Sequence, residues 1–131
     1  MPNQIVLVED DFDARSFLYA LLKLSGYSVA LAADGQEGLQ KITSDPPDLI
    51  ITDVAMPRLN GLGLIRTVRA TPILSNIPIL AVTSFGKERA NEALEAGAST
   101  ALARPIQNDH LLQAIKKLIK GDADQRAEPA L

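Results

Sequence analysis

Cysteine is absent from the 131-residue chain, which rules out disulfide scaffolds, thiolate zinc sites and cysteine nucleophiles. Long apolar stretches are absent as well. Met1-Pro2-Asn3-Gln4 carries no basic residue, and the run that follows, Ile5 to Val8, is too short for a signal peptide or a membrane span. The expected compartment is therefore the cytoplasm, with no membrane contact. Positive charge is in slight deficit: 13 Lys and Arg against 16 Asp and Glu give a formal net charge of −3. Nothing in that balance suggests broad electrostatic attraction to nucleic acid. Histidine occurs once, at His110. What is present is an ordinary globular composition, 47% hydrophobic and 22% charged, at a single-domain length.

Five short apolar runs recur at broadly even spacing: 5–8, 29–31, 49–51, 79–82 and 101–103. Several are continuously apolar, which suits strands covered on both faces of a parallel sheet. The second, Val29-Ala30-Leu31, reads as an edge. Helical periodicity fills the gaps. Ala14, Phe17, Leu18, Leu21 and Leu22 form the first stripe, with Gly26 as its stop. Asp34-Gly35-Gln36-Glu37 opens the second helix in the manner of a capping box. The third starts near Gly61 and is bounded by Pro72. The fourth runs from about Lys87 to Ala96, stopped by Gly97. The fifth starts near Asn108, with Leu111, Leu112, Ile115, Leu118 and Ile119 on its apolar face. Alternating strands and helices predict an α/β, doubly wound, five-stranded parallel sheet. Residues 1–120 are expected to form the domain, and 121–131 a disordered tail or the start of a linker.

Ligands of such sheets bind outside the carboxyl ends of the strands. The residues there are Glu9, Asp10 and Asp11 after the first run, Asp53 after the third, Thr83 and Ser84 after the fourth, and Arg104 and Pro105 after the fifth. Converging carboxylates repel unless a cation lies between them. An all-oxygen donor set favours a hard ion, magnesium above all where phosphate is also handled. A carboxylate can attack phosphorus to give an acyl phosphate, and a hydroxyl and a cation suit the phosphoryl oxygens. Taken singly, each residue has a plainer role. Asp10 or Asp11 could cap the first helix, Asp53 could be a turn residue, and Thr83 a β-branched strand residue.

Taken together, the set resembles a response-regulator receiver domain of two-component signalling. The resemblance is carried by Val8-Glu9-Asp10-Asp11, by Thr52-Asp53-Val54-Ala55-Met56-Pro57 with Gly61, by Val82-Thr83-Ser84, and by Gly97-Ala98 leading to Arg104-Pro105. It covers about residues 4–120. It implies a flavodoxin-like three-layer fold with strand order 2-1-3-4-5 and Asp53 as phosphoacceptor. It implies magnesium held by Glu9, Asp10, Asp53 and the backbone carbonyl of Ala55, and Thr83 as the hydroxyl that moves toward the phosphoryl group. A sensor histidine kinase or phosphotransfer protein would be the donor, and an effector protein or output domain the reader. The fourth helix, fifth strand and fifth helix would form the partner or dimer face. The only chemistry expected is self-catalysed transfer onto Asp53, and no helix-turn-helix for DNA is recognisable.

Two residues depart from the family pattern. Arg104 stands where the family has lysine, and Ala101 where it has a switch aromatic. Arg104 could clamp phosphate, hold unmodified Asp53 in a fixed pair, or form an ordinary surface ion pair. Together these departures motivate a second reading, a degenerate receiver that works as a phosphorylation-independent interaction module. Flavin binding fits poorly, because an acidic loop follows the first strand. An aspartyl phosphatase fits poorly too, because Ala55 stands where a second acid belongs. The plain reading of His110 is an exposed helical residue, and of Arg58, Arg66 and Arg69 a solvated surface.

Overall fold

The computed structural model describes residues 3–54, 60–84 and 86–120. Strands and helices alternate: β1 (Gln4–Val8), α1 (Phe12–Leu24), β2 (Ser28–Ala32), α2 (Gly35–Ser44), β3 (Leu49–Asp53), α3 (Gly61–Ala70), β4 (Ile79–Thr83), α4 (Gly86–Ala96), β5 (Thr100–Ala103) and α5 (Asn108–Ile119). All four strand pairings are parallel, in the order β2-β1-β3-β4-β5. β2 and β5 are the edges, and β3 lies at the centre.

The continuous apolar runs are explained by two cores, one on each face of the sheet. Alternate residues Ile5, Leu7, Leu49, Ile51, Leu80 and Val82 meet Leu22 of α1 and Leu111, Ile115 and Leu118 of α5. The residues between them, Val6, Val8, Ile50, Ile79 and Ala81, meet Ile42 of α2, Leu64, Ile65 and Val68 of α3, and Ala93 of α4. Period-two alternation is thus preserved, but both faces are apolar.

The helix ends follow from local chemistry. Asp11 caps α1, its side chain accepting from the Ala14 N–H at 2.8 Å. At the other end the Tyr27 N–H bonds the Leu22 carbonyl and the Gly26 N–H that of Lys23, a Schellman closure. Asp34 caps α2 by accepting from the Glu37 N–H at 2.9 Å. Glu37 reaches back to the Ala33 N–H, one residue earlier than in the standard capping box.

Arg69 departs from the solvated-surface expectation. Its Nε donates to the Gly97 carbonyl at 2.8 Å, and its Nη1 to those of Ser75 and Ile77 at 2.9 and 2.7 Å. One side chain of α3 therefore ties together the α3–β4 and α4–β5 connections. Gly97 permits the approach. Its φ is +123°, and a Cβ there would lie 2.7 Å from Arg69 Cγ. Arg66 is exposed, as expected, and Arg58 lies outside the described residues. Truncation by Arg69→Ala strands three carbonyl acceptors. The expected loss is about 2–3 kcal/mol of unfolding free energy, read by urea denaturation. A midpoint equal to wild type would mean that solvent replaces the guanidinium at no cost.

Candidate functional site: an acidic pocket at the carboxyl rim

Asp53 is the last residue of the central strand, so its side chain leaves the sheet where the β1, β4 and β5 connections also emerge. Backbone bonds set this rim. The Val54 N–H donates to the Val82 carbonyl at 3.1 Å, and the Arg104 N–H to the Thr83 carbonyl at 2.8 Å. The Glu9 N–H donates to the Ala32 carbonyl at 3.0 Å. Glu9, Asp53 and Thr83 are buried, at 2%, 8% and 1% exposure, whereas Asp10 and Ser84 are exposed.

Glu9, Asp10 and Asp53 each offer a carboxylate oxygen, and these oxygens lie within 4.8 Å of one another. The sequence left open whether Asp10 or Asp11 caps α1. In the structure Asp11 is the cap, and Asp10 joins the pocket. Arg15, to which sequence reading gave no role, folds back from the first turn of α1. Its Nη1 donates to the Glu9 carbonyl at 2.9 Å and fastens the acidic loop to the helix.

Glu9 lies under opposing influences. Burial raises its carboxyl above the usual carboxylate range, the Asp11 N–H pulls it back, the Asp53 charge pushes it up again, and Arg104 opposes that. Such a pocket needs positive charge. Part of it comes from Arg104, whose Nη2 meets Glu9 Oε1 at 2.5 Å. Its Nη1 donates to Ser84 Oγ at 3.0 Å and stands 3.8 Å from Asp53 Oδ2. The closest partner of Arg104 is therefore Glu9, in a partly buried contact, and the Asp53 pair that sequence offered as one of three roles is present at the longer distance. Ser84, placed on the rim by sequence but given no role, orients the guanidinium.

The donor set fits magnesium: three carboxylates in reach of one point, all hard oxygens, two of them buried beside each other. The proposed fourth ligand, the Ala55 carbonyl, lies outside the described residues, as do Met56, Pro57 and Phe85. Ala101 pairs with Ala81 and packs on the α2–α3–α4 side of the sheet as a small, half-buried residue. His110 is exposed in the first turn of α5.

Gly61 sets the height of the rim. Its N–H donates to the Val54 carbonyl at 2.8 Å, and a Cβ at this position would lie 2.0 Å from the Asp53 carbonyl oxygen. No side chain larger than hydrogen fits between α3 and the backbone of the site.

A five-stranded 2-1-3-4-5 sheet whose carboxyl rim brings Asp53 of the central strand together with Glu9 and Asp10 beyond β1 is the arrangement of a class, the receiver domains of two-component systems. The family model of the response regulator receiver domain matches residues 5–116, and the chain belongs to this family. It is 40% identical over 121 residues to the response regulator MprA of Mycolicibacterium vanbaalenii, covering 92% of this chain and 52% of the relative. The same figures hold for the response regulator MprA of Mycobacterium tuberculosis. The chain thus spans about half the length of the curated relatives it matches. Among solved structures it resembles the chemotaxis response regulator CheY4 of Vibrio cholerae, with TM-score 0.84 and 30% identity over 90% of this chain and 99% of that one. It also resembles the signal receiver domain of a signal transduction histidine kinase from Syntrophus aciditrophicus, with TM-score 0.85, 30% identity and 91% of each chain covered. Among the described residues no helix is long and apolar enough to cross a membrane.

Proposed function

We propose that this receiver domain is a phosphorylation-controlled switch that accepts a phosphoryl group on Asp53 in a magnesium-dependent reaction. The observation that carries the reading is the meeting of Asp53, Glu9 and Asp10 oxygens within 4.8 Å at the carboxyl rim. An Asp53 carboxylate oxygen attacks the phosphorus of a phosphohistidine on a histidine kinase or phosphotransfer protein. The new O–P bond makes an acyl phosphate as the P–N bond breaks, and the departing imidazole nitrogen takes a proton from solvent. Glu9, Asp10 and Asp53 would hold magnesium, with the Ala55 carbonyl as the further ligand that family resemblance implies. When bound, the ion supplies Lewis-acid neutralisation of charge on the phosphoryl oxygens. The Thr83 hydroxyl donates to one phosphoryl oxygen, and the Arg104 guanidinium offers N–H donors to another.

The event would be passed to an effector protein or output domain, with α4, β5 and α5 as the face presented to it or to a second copy. No aromatic at position 101 can change rotamer there, so readout rests on the movement of Thr83 and the connections beside it. The test is exposure to a small-molecule phosphodonor with magnesium, read by intact mass. One added phosphoryl group with magnesium, and none without it, is the expected result. Failure to label under conditions that label another receiver would leave a phosphorylation-independent interaction module.

Ala55 and Phe85 stand where the family tunes hydrolysis of the acyl phosphate. Neither side chain can hydrogen-bond an attacking water. The phosphorylated form should therefore persist for many minutes at neutral pH. Decay followed by intact mass after removal of the donor checks this, and a lifetime of seconds would contradict it.

A further inference from the structure

β2 forms one edge of the sheet, opposite β5. Its backbone groups divide by position. The Ser28 N–H donates to the Asn3 carbonyl at 2.9 Å, and the Ala32 carbonyl accepts from the Glu9 N–H at 3.0 Å. Alternate residues of a parallel ladder face the same neighbour, so Ser28, Ala30 and Ala32 bond β1, and Val29 and Leu31 turn their N–H and C=O groups outward. Lys41 of α2 closes the carboxyl half of this edge. Its Nζ donates to the Leu31 carbonyl and stands 3.5 Å from Glu37 Oε2. A lysine so placed blunts an edge strand. Among the described residues no side chain bonds the N–H or carbonyl of Val29, so the amino half of the edge is open.

Beside the open half lies a hollow of about 460 Å³. Val6 and Ala30, partners across β1 and β2, supply its apolar lining, and Gln40, Ser44 and Asp45 at the end of α2 its polar wall. Ala30 points to the α2 side of the sheet, as Ala32 does, yet Ala30 is exposed and Ala32 buried, so the sheet is uncovered here. The Lys41 charge is met by Glu37, whereas no cation among the described residues pairs with the Asp45 carboxylate.

We propose that the β2 edge and this hollow form a docking site for an extended basic segment of a partner protein, added to the sheet as an antiparallel sixth strand. The site is independent of the phosphorylation reading. The partner residue opposite Val29 exchanges two backbone hydrogen bonds with it, and the residue opposite Leu31 accepts from the Leu31 N–H. Lys41 keeps the Leu31 carbonyl and stops the pairing there. The residue between them, opposite Ala30, turns its side chain to the α2 side and into the hollow. Lysine suits that place: its alkyl stem covers Val6 and Ala30, and its ammonium answers the Asp45 charge.

The probe is the capped pentapeptide acetyl-Thr-Val-Lys-Val-Thr-amide, titrated into the full chain and followed by backbone amide NMR. The Val29 and Leu31 amide signals should shift saturably, and both amides should exchange more slowly with solvent. N-methylation of the valine after the lysine removes the donor to the Val29 carbonyl and should weaken binding about tenfold. Glutamate in place of the peptide's lysine should also weaken binding about tenfold, and Asp45→Asn should remove most of that preference. The Asp45 N–H keeps its bond to the Lys41 carbonyl in this variant, so the end of α2 is retained. Unmoved Val29 and Leu31 signals at millimolar peptide, or equal binding by the N-methylated peptide, would overturn the strand addition. A preference for lysine unchanged in Asp45→Asn would overturn the role of the hollow.

Discussion

Asp53→Asn is expected to reduce labelling by a small-molecule phosphodonor to background, with the fold intact. The amide keeps the size of the side chain and its place at the end of β3, but it has no anionic oxygen with which to attack phosphorus. The neighbouring acids separate into two groups. Asp10→Asn removes a charge from the cluster formed with Glu9 and Asp53, and should slow labelling by about 100-fold at a fixed magnesium concentration. Asp11→Asn should label like wild type. Asp11 caps α1 through one acceptor oxygen, and asparagine caps about equally well. Time courses by intact mass distinguish the three. Equal loss in Asp10→Asn and Asp11→Asn would mean that the loop acts as a block of charge and not through separate positions.

The second large effect is expected at Gly61. A Cβ there would sit 2.0 Å from the Asp53 carbonyl oxygen and 2.7 Å from Val54 Cα, both backbone atoms that no rotamer change can move aside. Gly61→Ala therefore has to push the start of α3 away from the end of β3. The expected cost is about 3 kcal/mol, or ~10 °C in Tm. Because the displaced backbone carries Asp53, labelling should slow in whatever fraction remains folded. Thermal denaturation and a phosphodonor time course on the same sample check both parts. A wild-type Tm would show that the close approach relaxes without strain.

Much of this fold is legible in the sequence because its signals are local. The runs at 5–8, 49–51 and 79–82 are continuously apolar for the reason seen in the structure: alternate side chains feed two cores. Gly26 and Gly97 mark helix ends because a left-handed residue closes each one. Strand order follows less directly, through the resemblance to a known family. The capping pattern alone does not choose between Asp10 and Asp11, because a hydrophobic stripe does not fix the first turn of α1 to one position; the family resemblance assigns Asp10 to the acidic set, and its carboxylate meets those of Glu9 and Asp53.

Some of the missed contacts are local, as when Arg15 reaches back to Glu9, but two join residues far apart in the chain. Arg69 looks like Arg66 on a helical wheel, but only Arg69 lies over Gly97, which it reaches across 28 positions. Arg104 meets Glu9 across 95 positions, while its other arm meets Ser84. Residue type marked Arg104 as part of the site. Only the folded geometry distinguishes a clamp on Asp53 from a counter-ion for Glu9.

The central claim is that the phosphoryl group goes onto Asp53. The most direct measurement is to label the chain with a phosphodonor and magnesium, reduce the acyl phosphate with borohydride, and locate the resulting homoserine by peptide mass spectrometry. Homoserine at position 53 and at no other acid is the predicted result. Homoserine at position 10 or 11, or phosphate retained on a hydroxyl such as that of Thr83 or Ser84, would contradict it.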